Sequence, residues 1–218
     1  MNFIQWLLSF FKPAHLQLPA DGRELCGPTE QNKLRLAIIV GHEKKSPGAK
    51  LFGTDMYEYQ FHTKTAQIMK QEALRSGRIE PVVIFRDGIG IEGTYKKAMA
   101  EKCDVAIELH FNAYNGEAFG TSTLCSPDNN DIEFAHMIQN AMCRVFNRNG
   151  LSRGVKTLSR GSRGSRNVFS FPNGYNCLIE PAFGDNPKEA KMLIENQEAL
   201  AVALVQAVLF WAQKKDMI

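Results

Sequence analysis

Two histidines and one glutamate in this chain stand where apolar, β-branched runs stop. The runs are Leu36-Ala-Ile-Ile-Val-Gly-His42, Asp104-Val-Ala-Ile-Glu-Leu-His110 and Cys177-Leu-Ile-Glu180. Such runs usually end at turn residues. Strand ends in an open α/β sheet face the crevice where ligands bind. Imidazoles and carboxylates gathered in such a crevice suit a divalent metal, most often zinc, with one carboxylate left over to move protons.

A hydrolytic zinc site takes three protein ligands and keeps one position open. His42 and His110 supply two from separate strands, and Gly41 lets the chain leave the first strand sharply. The best third ligand is Glu58, at the start of a long helix in Met56-Tyr-Glu-Tyr-Gln-Phe-His62. The loop 43–54 is long enough to bring the chain back to the crevice, and Asp55 is the expected helix cap. Glu108 is the rival. Strand alternation puts it on the same face as His110, either as a ligand or as a group that orients an imidazole. His62, four residues after Glu58, reads as a partly buried helix histidine rather than a ligand. Glu180 precedes Pro181, which favours extended backbone and fixes its side chain at the strand end. A carboxylate there can take a proton from an activated water and deliver it to a leaving amine. The chemistry implied is metal-assisted hydrolysis of an amide. Asn112 would either orient substrate or brace the loop after His110.

These motifs, in order, carry a family resemblance. Ile-Val-Gly-His42, Glu58-Tyr-Gln, Ile-Glu-Leu-His110-Phe-Asn-Ala and Leu-Ile-Glu180-Pro-Ala-Phe-Gly-Asp-Asn-Pro together resemble the zinc-dependent N-acetylmuramoyl-L-alanine amidases of autolysins and phage endolysins. The resemblance spans roughly residues 34–212. It implies zinc held by His42, Glu58 and His110, with Glu180 as the catalytic glutamate. It also implies cleavage of the amide between N-acetylmuramic acid and L-alanine in peptidoglycan. Arg153-Gly-Val-Lys156 matches a stretch that leads to the family's substrate groove. Two departures bear on groove shape: Glu43-Lys-Lys follows the first histidine where Gly-Gly is common, and Glu-Pro-Ala-Phe stands for Glu-x-Gly-Phe.

Arg153, Lys156, Arg160, Arg163 and Arg166 make one neighbourhood basic, with an Arg-Gly-Ser beat from residue 160. Stem peptides carry carboxylates that arginine forks recognise. Asn112, Arg153, Lys156, Arg160 and Arg163 are therefore the candidate substrate contacts. No aromatic residue is interleaved among the arginines as a nucleic-acid platform would need, so nucleic acid is not expected.

The elements that must position these groups alternate. Strands are expected at 34–40, 80–86, 104–110, 119–125, near 155–158 and at 176–181. Helices are expected at 55–76, 91–102, 129–149, 186–195 and 196–214. The helix from 129 has apolar residues at three- and four-residue steps. It follows the capping cluster Asp128-Asn-Asn-Asp131 and is expected to end at Asn149-Gly150. The fold class is α/β: a single domain with a twisted, mostly parallel but mixed central sheet and helices on both faces. Residues 34–218 form the catalytic domain, and 1–33 an N-terminal extension of open role.

The chain has 218 residues, 44% apolar, enough for one sizeable domain. A net charge of +3 is too mild to argue for nucleic acid. Five cysteines at irregular spacing make neither a disulfide framework nor a zinc knuckle. Cys103, Cys125 and Cys177 are expected as buried thiols in a protein made in a reducing compartment. No run reaches the roughly 18 apolar residues of a membrane span. Residues 1–13 are apolar but lack a signal peptide's basic start and cleavage site. They read as a packed helix or as a weak membrane or partner contact. The expectation is synthesis in the cytoplasm, with access to the wall by lysis or non-standard export. Two other functions remain open at this point: a non-catalytic wall-binding or regulatory protein with the same fold, and a zinc peptidase acting on stem or cross-link peptides.

Overall fold

Leu34–Val40 (β1) is buried at nearly every position, as a central parallel strand must be. Its side chains divide by parity. Leu36, Ile38 and Val40 enter a large core with Phe61, Met69, Phe134, Leu204 and Trp211. Ala37 and Ile39 face a smaller one with Ile84, Tyr95, Ala98 and Phe171. The computed structural model describes residues 33–148, 152–172 and 174–218. The apolar N-terminal run, His15, Cys26 and the Asn149-Gly150 pair lie outside the described residues.

The remaining strands are β2 (Ile79–Phe85), β3 (Val105–Leu109), β4 (Thr121–Cys125), β5 (Ser152–Thr157) and β6 (Tyr175–Glu180). They form one sheet in the order β2-β1-β3-β6-β4-β5. Every neighbouring pair is parallel except β4 against β6. The carboxyl ends of β1, β3 and β6 therefore share one end of the sheet with the amino end of β4. His42, His110 and Glu180 all fall at that end.

Helices α1 (Glu58–Ser76), α3 (Asn129–Val145) and α6 (Gln197–Lys214) cover the larger core. Helix α2 (Gly90–Ala100) and the short α4 (Ser165–Phe169) pack on the other face, and α5 (Pro187–Glu195) leads into α6. Helix α6 is apolar nearly all round because α1, α3 and the sheet enclose it, and its Trp211 is fully buried against Phe134 and Tyr175. Among the described residues no single helix is long and apolar enough to cross a membrane. The expected mixed α/β sheet with helices on both faces is the architecture found.

Two helix ends and one additional short helix depart clearly from expectation. Helix α1 starts at Glu58 with Tyr57 at its cap position, and Asp55 instead pairs with Lys50 at 3.2 Å. Gln60 Oε1 accepts from the Tyr57 amide at 3.0 Å, and the loop 43–57 caps the next two: the Glu58 and Tyr59 amides donate to the Ala49 and Pro47 carbonyls, both at 2.9 Å. Those are donors that an α-helix leaves free at its first turn. Helix α3 begins as expected, with Asp128 accepting from the Asn130 amide at 2.8 Å, but ends at Val145. The left-handed residue that follows is Asn147, a residue type that tolerates that conformation. Helix α4 was not expected in the Arg-Gly-Ser stretch. Cys103, Cys125 and Cys177 are buried and Cys143 is partly so; these four thiols are free.

Candidate metal centre

Glu58 stands between the two histidines. Its Oε1 lies 2.8 Å from Nδ1 of His110 and also accepts from the Phe111 amide at 3.0 Å. Its Oε2 lies 3.2 Å from Nε2 of His42. One ligating atom from each of His42, Glu58 and His110 lies within 4.8 Å of the others. Two imidazoles and one buried carboxylate with converging donor atoms could hold a divalent metal. The residues fit the group that the sequence led us to expect.

Two glycines make the convergence possible. A Cβ on Gly41 would sit 2.4 Å from Cε1 of His110 and 2.5 Å from the Leu109 carbonyl oxygen. A Cβ on Gly48 would meet Oε2 of Glu58 at 2.7 Å, and Gly48 has φ +83. The sharp exit from β1 falls on His42 itself, at φ 65, and not on Gly41. Gly41 is needed because the His110 ring lies against its backbone. Nothing in the sequence around Gly48 marked it for this role.

The electrostatics follow from this crowding. Burial alone would raise the pKa of Glu58, but hydrogen bonds from His110 and His42 outweigh it and hold the carboxylate far below its usual range. Burial opposes a charge on His110, but the carboxylates of Glu108 and Glu58 prevail and raise its pKa to about 10. His62 is fully buried against Phe61 and Phe111, and desolvation lowers it to about 3, so it is a neutral packed ring. It stands outside the converging three.

Glu180 ends β6 beside His110, whose amide donates to the Ile179 carbonyl at 3.1 Å. Its Oε2 accepts from Asn112 Nδ2 at 2.6 Å and Ser122 Oγ at 3.0 Å. Asn112 therefore braces a carboxylate, and Ser122 was not foreseen. Glu108 does not converge with the three. It lies fully buried beneath them, with Oε1 3.0 Å from His110 Nε2, and with Arg86, Tyr95 and Asn167 around it.

The basic residues separate. Arg153, at the start of β5, stacks over Phe183 at 5.1 Å and donates to the Phe119 carbonyl, which places it on the crevice side. Lys156 pairs in register with Leu124, further along the edge strand. Arg160 lies past the far end of β5, over the Phe169 ring at 4.3 Å. There it borders a cavity of about 690 Å³ with Ser126, Asp131 and Tyr175. Arg163 is exposed in the same loop. The structure does not bring Arg160 and Arg163 to the metal centre.

Residues 36–209 match the N-acetylmuramoyl-L-alanine amidase family. The chain belongs to that family, whose members hydrolyse peptidoglycan. Its fold is similar to that of an N-acetylmuramoyl-L-alanine amidase from Clostridium difficile 630, with TM-score 0.74 and 24% identity over 84% of this chain and 99% of that one. The catalytic domain of CwlV from Bacillus (Paenibacillus) polymyxa superposes with TM-score 0.72 at 19% identity, over 83% and 98% of the two chains. The catalytic domain of the CD27L endolysin targeting Clostridia difficile gives 0.62 at 25% identity, over 81% and 97%. No curated protein sequence matches the chain.

Proposed function

We propose that this amidase is zinc-dependent, with His42, Glu58 and His110 as the metal ligands and Glu180 as the group that moves protons. The observation that carries the reading is the Glu58 carboxylate facing both imidazoles, with Glu180 held at the adjoining strand end. Zinc supplies Lewis-acid polarisation of the scissile carbonyl and lowers the pKa of water when bound. Glu180 accepts the proton of the attacking water. It then delivers that proton to the nitrogen of L-alanine as the carbon–nitrogen bond breaks. Asn112 and Ser122 hold one oxygen of Glu180 and leave the carboxylate aimed from the end of β6. Glu58 shares its charge between the two rings and fixes their spacing. Arg153, at the crevice rim, would meet a stem-peptide carboxylate. We assign no substrate contact to Arg160 or Arg163.

Digestion of purified peptidoglycan, with and without a chelator, tests this. Release of stem peptides beginning at L-alanine, abolished by chelator and restored by zinc, is the expected result. Cleavage within the stem or cross-link would favour a peptidase. Binding to the wall with no release from several wall types would favour a non-catalytic role. Synthesis in the cytoplasm with later access to the wall remains part of the proposal, tested by fractionation of producing cells before and after lysis.

A further inference from the structure

We propose that Glu108 is a positioning residue for the metal centre: it holds the His110 ring with Nε2–H toward itself and so makes Nδ1 the nitrogen offered to a metal. The inference rests on His42, Glu58 and His110 being the ligands.

The argument starts from what each atom can do. A carboxylate only accepts hydrogen bonds. His110 has a carboxylate oxygen on each side: Glu58 Oε1 at 2.8 Å from Nδ1 and Glu108 Oε1 at 3.0 Å from Nε2. The Glu108 oxygen bonds Nε2 only if Nε2 carries a proton, which leaves Nδ1, on the Glu58 side, as the nitrogen a metal would take. The Nε2 proton stays where Glu108 holds it, so the ring cannot flip or change tautomer without breaking that bond.

Glu108 is itself held from three other elements. Arg86 just past β2 donates at 3.3 Å, Tyr95 on α2 at 2.7 Å and Asn167 on α4 at 2.7 Å. Each carboxylate oxygen thus has two donors, and the residue is fully buried. The Asn167 backbone is fixed in turn by Asn176, whose Nδ2 donates to the Asn167 carbonyl at 3.0 Å. The short helix in the Arg-Gly-Ser stretch therefore acts from beneath the site. The two histidines are unequal in this respect. Among the described residues the carboxylate paired with His42 is Glu58, and about a third of the His42 side chain is exposed. His110 has a carboxylate dedicated to the nitrogen that does not ligate, and such partners fix tautomer and ring orientation at metal sites.

The test uses the full chain as wild type, Glu108→Gln and Tyr95→Phe. Zinc affinity is measured at neutral pH by competition with a chromophoric chelator, and the zinc-loaded proteins are compared by nitrogen-15 histidine spectra. Wild type is expected to bind one zinc with His110 protonated at Nε2. Glu108→Gln should remain folded, bind zinc about 10- to 100-fold more weakly, and lose the single Nε2–H signature. Tyr95→Phe should shift affinity in the same direction by a smaller factor. Unchanged affinity and an unchanged His110 spectrum in Glu108→Gln would overturn the proposal. If that variant does not fold, the same null result in Tyr95→Phe would overturn it. A wild type that binds no zinc would instead sink the ligand assignment, and this proposal with it.

Discussion

The Cα of Gly41 is packed so closely against the His110 ring that an added methyl would lie 2.4 Å from Cε1. The same methyl would lie 2.5 Å from the Leu109 carbonyl oxygen, so a ring movement alone cannot clear it. Gly41→Ala is therefore expected to displace a ligand while β1 stays buried. Displacement by about 1 Å costs on the order of 10²-fold in rate. The variant should show that loss together with weaker zinc retention on dialysis. Full zinc occupancy at wild-type activity would show that the close approach is unimportant.

Glu180→Gln removes the proton acceptor and keeps the shape. Zinc content should stay at one per chain while turnover falls by about 10²- to 10⁴-fold. Undiminished turnover would remove Glu180 from the mechanism.

Asn112→Ala separates two roles for Asn112. Its Nδ2 lies 2.6 Å from Glu180 Oε2. If its task is to hold that carboxylate, kcat falls and KM stays near its wild-type value. A rise in KM at constant kcat would make Asn112 a substrate contact instead.

The sequence shows His42, His110 and Glu180 because strand periodicity is strong and each side chain sits where a run stops. Glu58 is legible only through its helix start. Part of the capping there is local, with Gln60 Oε1 accepting from the Tyr57 amide at 3.0 Å, but the Glu58 and Tyr59 amides are met by the Ala49 and Pro47 carbonyls, which the returning loop supplies. The support under His110 is less legible still. Arg86, Tyr95 and Asn167 come from three elements and meet only once the sheet is assembled. The basic stretch misleads for the opposite reason. Arg153 to Arg163 are neighbours in sequence, but β5 carries them from the crevice end of the sheet to the far end, so shared charge does not mean a shared site.

Metal binding should depend steeply on pH. His110 holds its proton up to about pH 10 because burial is outweighed by Glu108 and Glu58. Zinc must displace that proton, so apparent affinity should rise about tenfold per pH unit as pH approaches 10. The raised pKa has a second consequence. Its stabilisation of the metal-free fold is complete below the ordinary value of 6.5 and is lost as pH rises through about 10. Thermal melts should therefore show the metal-free protein losing stability across that window, with the zinc-loaded protein much less affected. Zinc affinity independent of pH between 6.5 and 9 would contradict the double carboxylate contact.

The loop that leaves His110 re-enters the sheet at Thr121, and a buried ion pair fixes that point. Arg148 donates to both oxygens of Glu189, at 2.7 and 2.6 Å, and to Thr121 Oγ at 3.2 Å. Glu189 also accepts from the Gly120 amide at 3.0 Å. Arg148→Met would leave a buried carboxylate without its cation, a loss of about 3–5 kcal/mol in similar cases. The pair itself adds little over apolar packing, because desolvation offsets its attraction. Arg148→Met/Glu189→Leu should therefore recover most of the loss in denaturant melts. A double variant as unstable as the single one would show that the Gly120 and Thr121 contacts, and not charge balance, are what the pair supplies.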